Sequence, residues 1–231
     1  MDYQTIEHLF FQRYFSGTYE GNLYLIYLHF NTKKGNDIYR IKILFKILLL
    51  MKNKYVCNMK RLNFDFYKQD AVVVAEKLLG KTLVRIWEDG NVSKFTITET
   101  EAYLGEEDLA CHASKGRTNR TEVMYVEGGK VYVYLIYGMY WMLNVVTGPG
   151  NYPQAVLIRG IDHIIGSGKV GRELKIDKSF YGENLLNSER MWIEDAPNVT
   201  NFITLPRVGI DYAGDEWKNK LWRFTLKTPA I

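Results

Sequence analysis

The 231-residue chain is poor in thiol and imidazole, with two cysteines, Cys57 and Cys111, far apart, and four scattered histidines, His8, His29, His112 and His163. A disulfide framework needs paired cysteines and a structural zinc site needs closely spaced Cys/His ligands, so the sequence supports neither. Long apolar runs are missing too. The best of them, Ile41 to Met51, is interrupted by Lys42 and Lys46 and falls well short of the ~20 residues that cross a bilayer. The first thirty residues lack the ordered basic, apolar and small-residue segments of a secretory signal. A cytoplasmic protein with no membrane partner is expected. There is no internal repeat or low-complexity tract, and 47% hydrophobic with 24% charged residues is an ordinary globular balance.

Net charge is also scarce where it would matter. The chain totals +4, but residues 1 to 58 hold eight Lys/Arg against four acids, leaving 22 of each in the remainder. Any attraction of the main body for nucleic acid must come from local patches. Residues 1–58 are aromatic and rich in Ile, Leu, Asn and Lys, with no coherent period, and read as an N-terminal extension. Met59 opens a strongly patterned segment, which suggests a native start there and a folded domain over 59–231.

From Asp70, the apolar positions Val73, Val74, Leu78 and Leu79 fall at helical spacing and stop at Gly80, predicting an amphipathic helix. Lys81 to Trp87 and Lys94 to Tyr103 flank Asp89-Gly90, the signature of a β-hairpin. Lys130 to Tyr137, Trp141 to Val146, Ala155 to Gly160 and Leu221 to Leu226 are further strand candidates. These elements predict a single α+β domain, a curved and mostly antiparallel sheet with surrounding helices.

In Thr98-Glu99-Thr100-Glu101-Ala102-Tyr103, the strand period of two puts Glu99, Glu101 and Tyr103 on one face. That face is either inert solvent surface or two carboxylates and a phenol converging on chemistry. A polar loop follows to Cys111-His112, with Lys115, Arg117 and Arg120 close behind. Between Tyr132 and Trp141, five of ten residues are aromatic. Alternation separates Tyr132 and Tyr134 from Val131, Val133 and Leu135, and Gly138 permits a turn that leaves Tyr137 at a hairpin tip. Such a strand is usually core, yet a tip tyrosine is poorly placed for that. With Arg117 and Arg120 it meets the needs of a protein that stacks on bases and grips phosphates.

The run Glu99-Thr100-Glu101-Ala102-Tyr103-Leu104-Gly105-Glu106-Glu107-Asp108, then His112, then Tyr132 through Tyr140 to Asn144, closely resembles the alkyladenine (3-methyladenine) DNA glycosylase family. The likeness extends from Leu62-Asn63-Phe64-Asp65-Phe66-Tyr67 through Val156-Leu157-Ile158-Arg159 to Pro206-Arg207-Val208-Gly209-Ile210 and Leu221-Trp222-Arg223-Phe224. It implies a monofunctional glycosylase of base excision repair, acting as a monomer on double-stranded DNA that contains 3-methyladenine, 7-methylguanine or hypoxanthine. No cofactor is implied. A non-catalytic binder of damaged or single-stranded nucleic acid is the alternative from another class.

By the same resemblance, Glu101 is the general base and Arg159 helps hold the attacking water. The everted purine lies between Tyr103 and His112 on one side and Tyr134 on the other, Asn144 excludes the exocyclic amine of guanine, and Tyr137 intercalates. Arg117 and Arg120, with Lys169, Arg172 and Lys175, are expected on phosphates, and Glu99 is expected to order its strand rather than react. The chain departs from the family's pattern after Arg159, where the connection to Gly166-Ser167-Gly168-Lys169-Val170 is short and the usual proline is absent.

Overall fold

The computed structural model describes residues 61–227. The expectations about residues 1–58, the Met59 start and the Ile41–Met51 run lie outside the described residues.

A short helix α1 (Phe64–Tyr67) is capped by Asn63, whose side chain accepts from the Phe66 amide at 3.1 Å. Helix α2 (Ala71–Leu78) starts at Asp70, which accepts from the Val72 amide at 2.8 Å; such caps satisfy donors that have no intrahelical partner. Ala71, Val74, Ala75 and Leu78 are its buried positions, the one-sided spacing expected of an amphipathic helix. Strands β1 (Thr82–Ile86) and β2 (Val92–Leu104) form the predicted hairpin. Next come β3 (Val131–Ile136) and β4 (Tyr140–Val146), which pair antiparallel, and β5 (Gln154–Ile161). A two-residue β6 (Ile164–Ile165), helix α3 (Ser167–Glu173), β7 (Met191–Glu194), β8 (Phe202–Leu205), helix α4 (Gly214–Lys218) and β9 (Arg223–Leu226) complete the chain. The fold is α+β, as expected.

Every strand pairing is antiparallel, with the order β3-β4-β5-β2-β1-β7, β6 added on β5, and β9 joining β2 to β8. The long β2 organises the sheet. Along one edge it pairs with β1 over Val92–Thr96 and then with β9 over Glu99–Glu101, while β5 runs along its other edge.

The two faces of the sheet differ in what covers them. Ala102, Val131, Val133, Leu143, Val145, Val156 and Ile158 join residues of α2 and α3 in the main core. On this face the Thr100 hydroxyl donates to the Ala75 carbonyl of α2 at 2.8 Å. Helix α3 lies so close to β4 that a Cβ at Gly171 would collide with the Trp141 carbonyl, which makes glycine obligatory there. Among the described residues, the opposite face has no helix of comparable length. Cys111, Ala113, Val123, Met124 and Tyr125, from loops and 3₁₀ turns, pack there on Tyr132, Val146 and Ala155, with Tyr103 and Tyr134 at the margin. The candidate site opens on this loop-covered face. Among the described residues, no helix is long and apolar enough to cross a membrane.

Strands β6, β7 and β8 and helices α1, α3 and α4 go beyond the sequence expectations, and β9 begins at Arg223 rather than Leu221, with the Trp222 amide bonded to the Lys220 carbonyl in the preceding turn.

Candidate active site

Alternation along four neighbouring strands builds the site. Glu99, Glu101 and Tyr103 of β2, Tyr132 and Tyr134 of β3, Asn144 of β4, and Leu157 and Arg159 of β5 share the loop-covered face. Direct cross-strand pairs bring Asn144 beside both Tyr132 and Leu157, and Leu157 beside Glu101. Glu101, Tyr103, His112, Tyr134, Asn144 and Arg159 all line one cleft of about 210 Å³.

Glu101 is fully buried. One carboxylate oxygen accepts from the Val208 amide at 2.8 Å and the other from the Tyr103 hydroxyl at 2.8 Å. Arg159 Nε stands 3.5 Å from Glu101 Oε1 and 3.3 Å from Glu99 Oε1. Burial pushes the Glu101 carboxyl above the usual range, and Arg159, the Val208 amide and Tyr103 oppose that rise by favouring the charged form. The result is a desolvated carboxylate, held at both oxygens, that becomes a stronger base as its proton affinity rises.

Tyr103 is clamped from behind. The Arg207 guanidinium lies 4.8 Å from its ring centroid and 5.0 Å from that of Trp222. Arg207 forks onto Asp108 at 2.5 and 2.9 Å and donates to the Ala102 carbonyl at 3.0 Å. Both side chains of this ion pair are wholly buried.

His112 Nδ1 is 2.9 Å from the Tyr132 hydroxyl, and Arg120 Nη2 is 3.3 Å from Nε2. The same Nη2 is 3.5 Å from Nδ1, so this donor sits beside both ring nitrogens, while the Tyr132 hydroxyl holds the ring at Nδ1. Burial, followed by the charges of Arg120 and Lys115, pulls the His112 pKa down to about 4. The imidazole is therefore neutral near pH 7. Arg120 also lies 5.1 Å over the Tyr134 ring and is itself exposed.

The slot expected for a purine differs from the resemblance in one respect. Flanking a base between His112 and Tyr134 needs about 7 Å, twice a van der Waals separation of ~3.5 Å. Their centroids are 4.4 Å apart, with the rings edge to face. In this structure the two side chains pack together, with Arg120 on top, and a base entering between them has to part them.

Asn144 is buried, with its amide donating to the Tyr132 carbonyl at 3.1 Å. Tyr137 is 87% exposed at the tip of the β3–β4 hairpin, with φ of 51° followed by 68° at Gly138. Two successive positive values suit a tight hairpin turn but strain a tyrosine. Arg117 is not an unpaired cation, for it forks onto Glu122 at 2.8 and 2.6 Å. Arg172 lies over Tyr140 and Lys175 over Trp87, while Lys169 is exposed.

Sequence reading missed Tyr132, which orients His112, and the Val208 amide and Arg207, which hold Glu101 and Tyr103. It also missed Tyr212, 71% exposed at the rim with its hydroxyl 3.4 Å from the Ala110 carbonyl. Alternation exposes Tyr132; the other three reach the cleft through contacts about a hundred positions apart in the chain.

Comparison with known proteins gives the family of the chain. The family model described as methylpurine-DNA glycosylase matches residues 65–166 and 162–230. Its two stretches meet at the short connection after Arg159. A protein of Methanocella arvoryzae named "Putative 3-methyladenine DNA glycosylase" is 43% identical over 188 residues, covering 72% of this chain and 93% of that protein. Proteins of the same name from Legionella pneumophila (strain Corby) and Natranaerobius thermophilus are 44% and 40% identical, covering 73% and 72% of this chain and 96% of each relative.

Proposed function

Since this chain belongs to the methylpurine-DNA glycosylase family, we propose that it is a monofunctional DNA glycosylase that everts damaged purines from duplex DNA and hydrolyses their N-glycosidic bond. The observation that carries the reading is a buried, doubly hydrogen-bonded carboxylate, Glu101, opening into the same cleft as Tyr103, His112 and Tyr134.

A stacked base is out of reach of any such carboxylate, so the nucleotide rotates out at a cost of a few kcal/mol, least for a base whose pairing is already weakened. Tyr137, on its exposed tip, inserts into the vacated stack, as wedge side chains do from the minor groove. The everted purine parts His112 from Tyr134 and stacks on the tyrosines. A cationic alkylpurine gains ~0.5 to 2 kcal/mol from the ring faces that a neutral base does not. Asn144, fixed by its bond to the Tyr132 carbonyl, sits where bulk on the purine edge is rejected.

As the bond to the base lengthens, positive charge builds on the sugar. Glu101 takes a proton from water while the water oxygen bonds to C1′ and the electron pair of the breaking bond goes to the base. Arg159 steadies the carboxylate. A cationic purine leaves neutral, whereas hypoxanthine has to gain a proton and leaves more slowly. Arg120, near the Tyr134 ring, and the exposed Lys169 supply positive charge towards phosphates.

The deciding assay uses duplexes carrying one hypoxanthine, one 7-methylguanine or only normal bases, with alkali to cleave abasic product. Alkali-dependent breaks at the damaged base, abolished in Glu101→Gln with damaged-DNA binding retained, are expected. Excision undiminished in that variant refutes the assignment of the base; binding without turnover in the parent protein favours a non-catalytic binder.

A further inference from the structure

Glu99 is buried at 3% exposure, two residues before Glu101 on the same strand face. Burying a second carboxylate beside the first is costly unless it is paired. Its pairing is unusual. Oε1 receives Arg223 Nη1 at 2.9 Å and faces Arg159 Nε at 3.3 Å, while Oε2 has no hydrogen-bond partner among the described residues. Arg159 Nε, directed between Glu99 and Glu101, is aligned as a hydrogen bond to neither. Arg223 in turn donates through Nε to the Pro206 carbonyl at 2.8 Å, two residues before the Val208 amide that donates to Glu101. The contacts close a ring that runs from Glu101 to Arg159, Glu99, Arg223, the Pro206–Val208 turn and back to Glu101.

We infer that Glu99 is a positioning residue for Glu101: it holds part of the Arg159 charge away from that carboxylate and, through Arg223, ties down the turn whose amide donates to it. The inference rests on the reading of Glu101 as the base. A carboxylate that received the whole of Arg159 would be easier to ionise but a weaker base. Glu99 keeps the cation shared. The other groups facing Glu101 are Tyr103 from β2, Tyr134 from β3 and the Val208 amide; both variants leave the two tyrosines in place, while Arg223→Gln also frees the turn that carries the Val208 amide, which raises the limb further.

The test is single-turnover excision by the full chain over about pH 4.5 to 9, where the acid limb reports ionisation of the base. The duplex carries hypoxanthine or 7-methylguanine, whichever the parent excises faster. Each rate is divided by the folded fraction measured at the same pH, so that the midpoint of the limb does not report stability. Glu99→Gln removes a like charge and releases Arg159 to Glu101, so the limb moves down by about half to one pH unit and the plateau rate falls a few-fold. Arg223→Gln leaves Glu99 less compensated and draws Arg159 towards it, so the limb moves up; the double variant returns towards the parent. These opposite displacements support the inference. A lower plateau with unmoved limbs in both variants reduces Glu99 to scaffolding and overturns it. If Glu101→Gln in the same series retains excision, the base assignment itself falls, an outcome distinct from an inactive Glu101→Gln beside an unchanged Glu99→Gln profile.

Discussion

A carboxylate in water is a weak base, and what alters Glu101 is its surroundings: no solvent, one amide, one phenol and a shared guanidinium. Its pKa is raised, so the acid limb of excision should lie above the ordinary carboxylate range, with activity lost as pH falls through it. Arg159→Gln removes a group that favours the ionised form. The limb should then move to higher pH in single-turnover assays, with a rate loss of about ten-fold or more. His112 offers an independent check. Its pKa is depressed to about 4 from an unfolded value near 6.5. Between these values the unfolded chain binds the proton and the folded one does not, so stability declines as pH falls from about 6.5 towards 4. Urea midpoints measured across that window should slope less in His112→Gln than in the parent, and equal slopes would mean that the imidazole titrates normally.

At the scale of elements, the strand period was the most legible signal. It places Glu99, Glu101 and Tyr103 together, and Tyr132 with Tyr134, because a half-buried sheet enforces alternation. Arg159 was assigned by resemblance, although Ala155, Leu157 and Arg159 alternate onto the same face. The local register irregularity of β2 against β5 at Glu99 was not legible, since register depends on both strands at once. There a Cβ at Gly160 would stand 2.7 Å from Thr98 Oγ1 and 2.9 Å from Glu99 Cβ. Gly160→Ala should therefore force the strands apart beneath the Glu99–Arg159–Glu101 cluster, at about 1 to 3 kcal/mol in denaturant unfolding, with excision reduced beyond what the unfolded fraction explains. The hairpin tip is separable from this framework. Tyr137→Ala keeps the turn, touches no core contact and should leave stability unchanged. Its excision should fall more on duplex than on single-stranded substrate, because only the duplex has a stack to fill; equal losses on both would remove the wedge role.

Over the whole molecule, the sheet and its loops gather into one cleft residues from Glu101 to Tyr212, and this convergence is what single-sequence reading captures least. Periodicity reports neighbours two to four positions apart, whereas Asp108 meets Arg207 across 99 residues and Glu101 meets Val208 across 107. The Asp108–Arg207 pair pins the loop after β2 to the turn after β8, so that Tyr103 and Glu101 are fixed from one side by one ion pair and the amide next to it. Removing one partner strands a charge where both side chains have no exposure. Arg207→Met or Asp108→Asn alone should lose about 3 to 5 kcal/mol in urea unfolding. The double variant strands no charge and should lose less than the sum of the singles, a coupling that a double-mutant cycle measures directly. Recovered stability should not bring recovered chemistry. Without the guanidinium behind Tyr103 and the anchored turn behind Glu101, the folded double variant should excise damaged purines at least ten-fold more slowly, and a parental rate would show that the pair serves the fold alone.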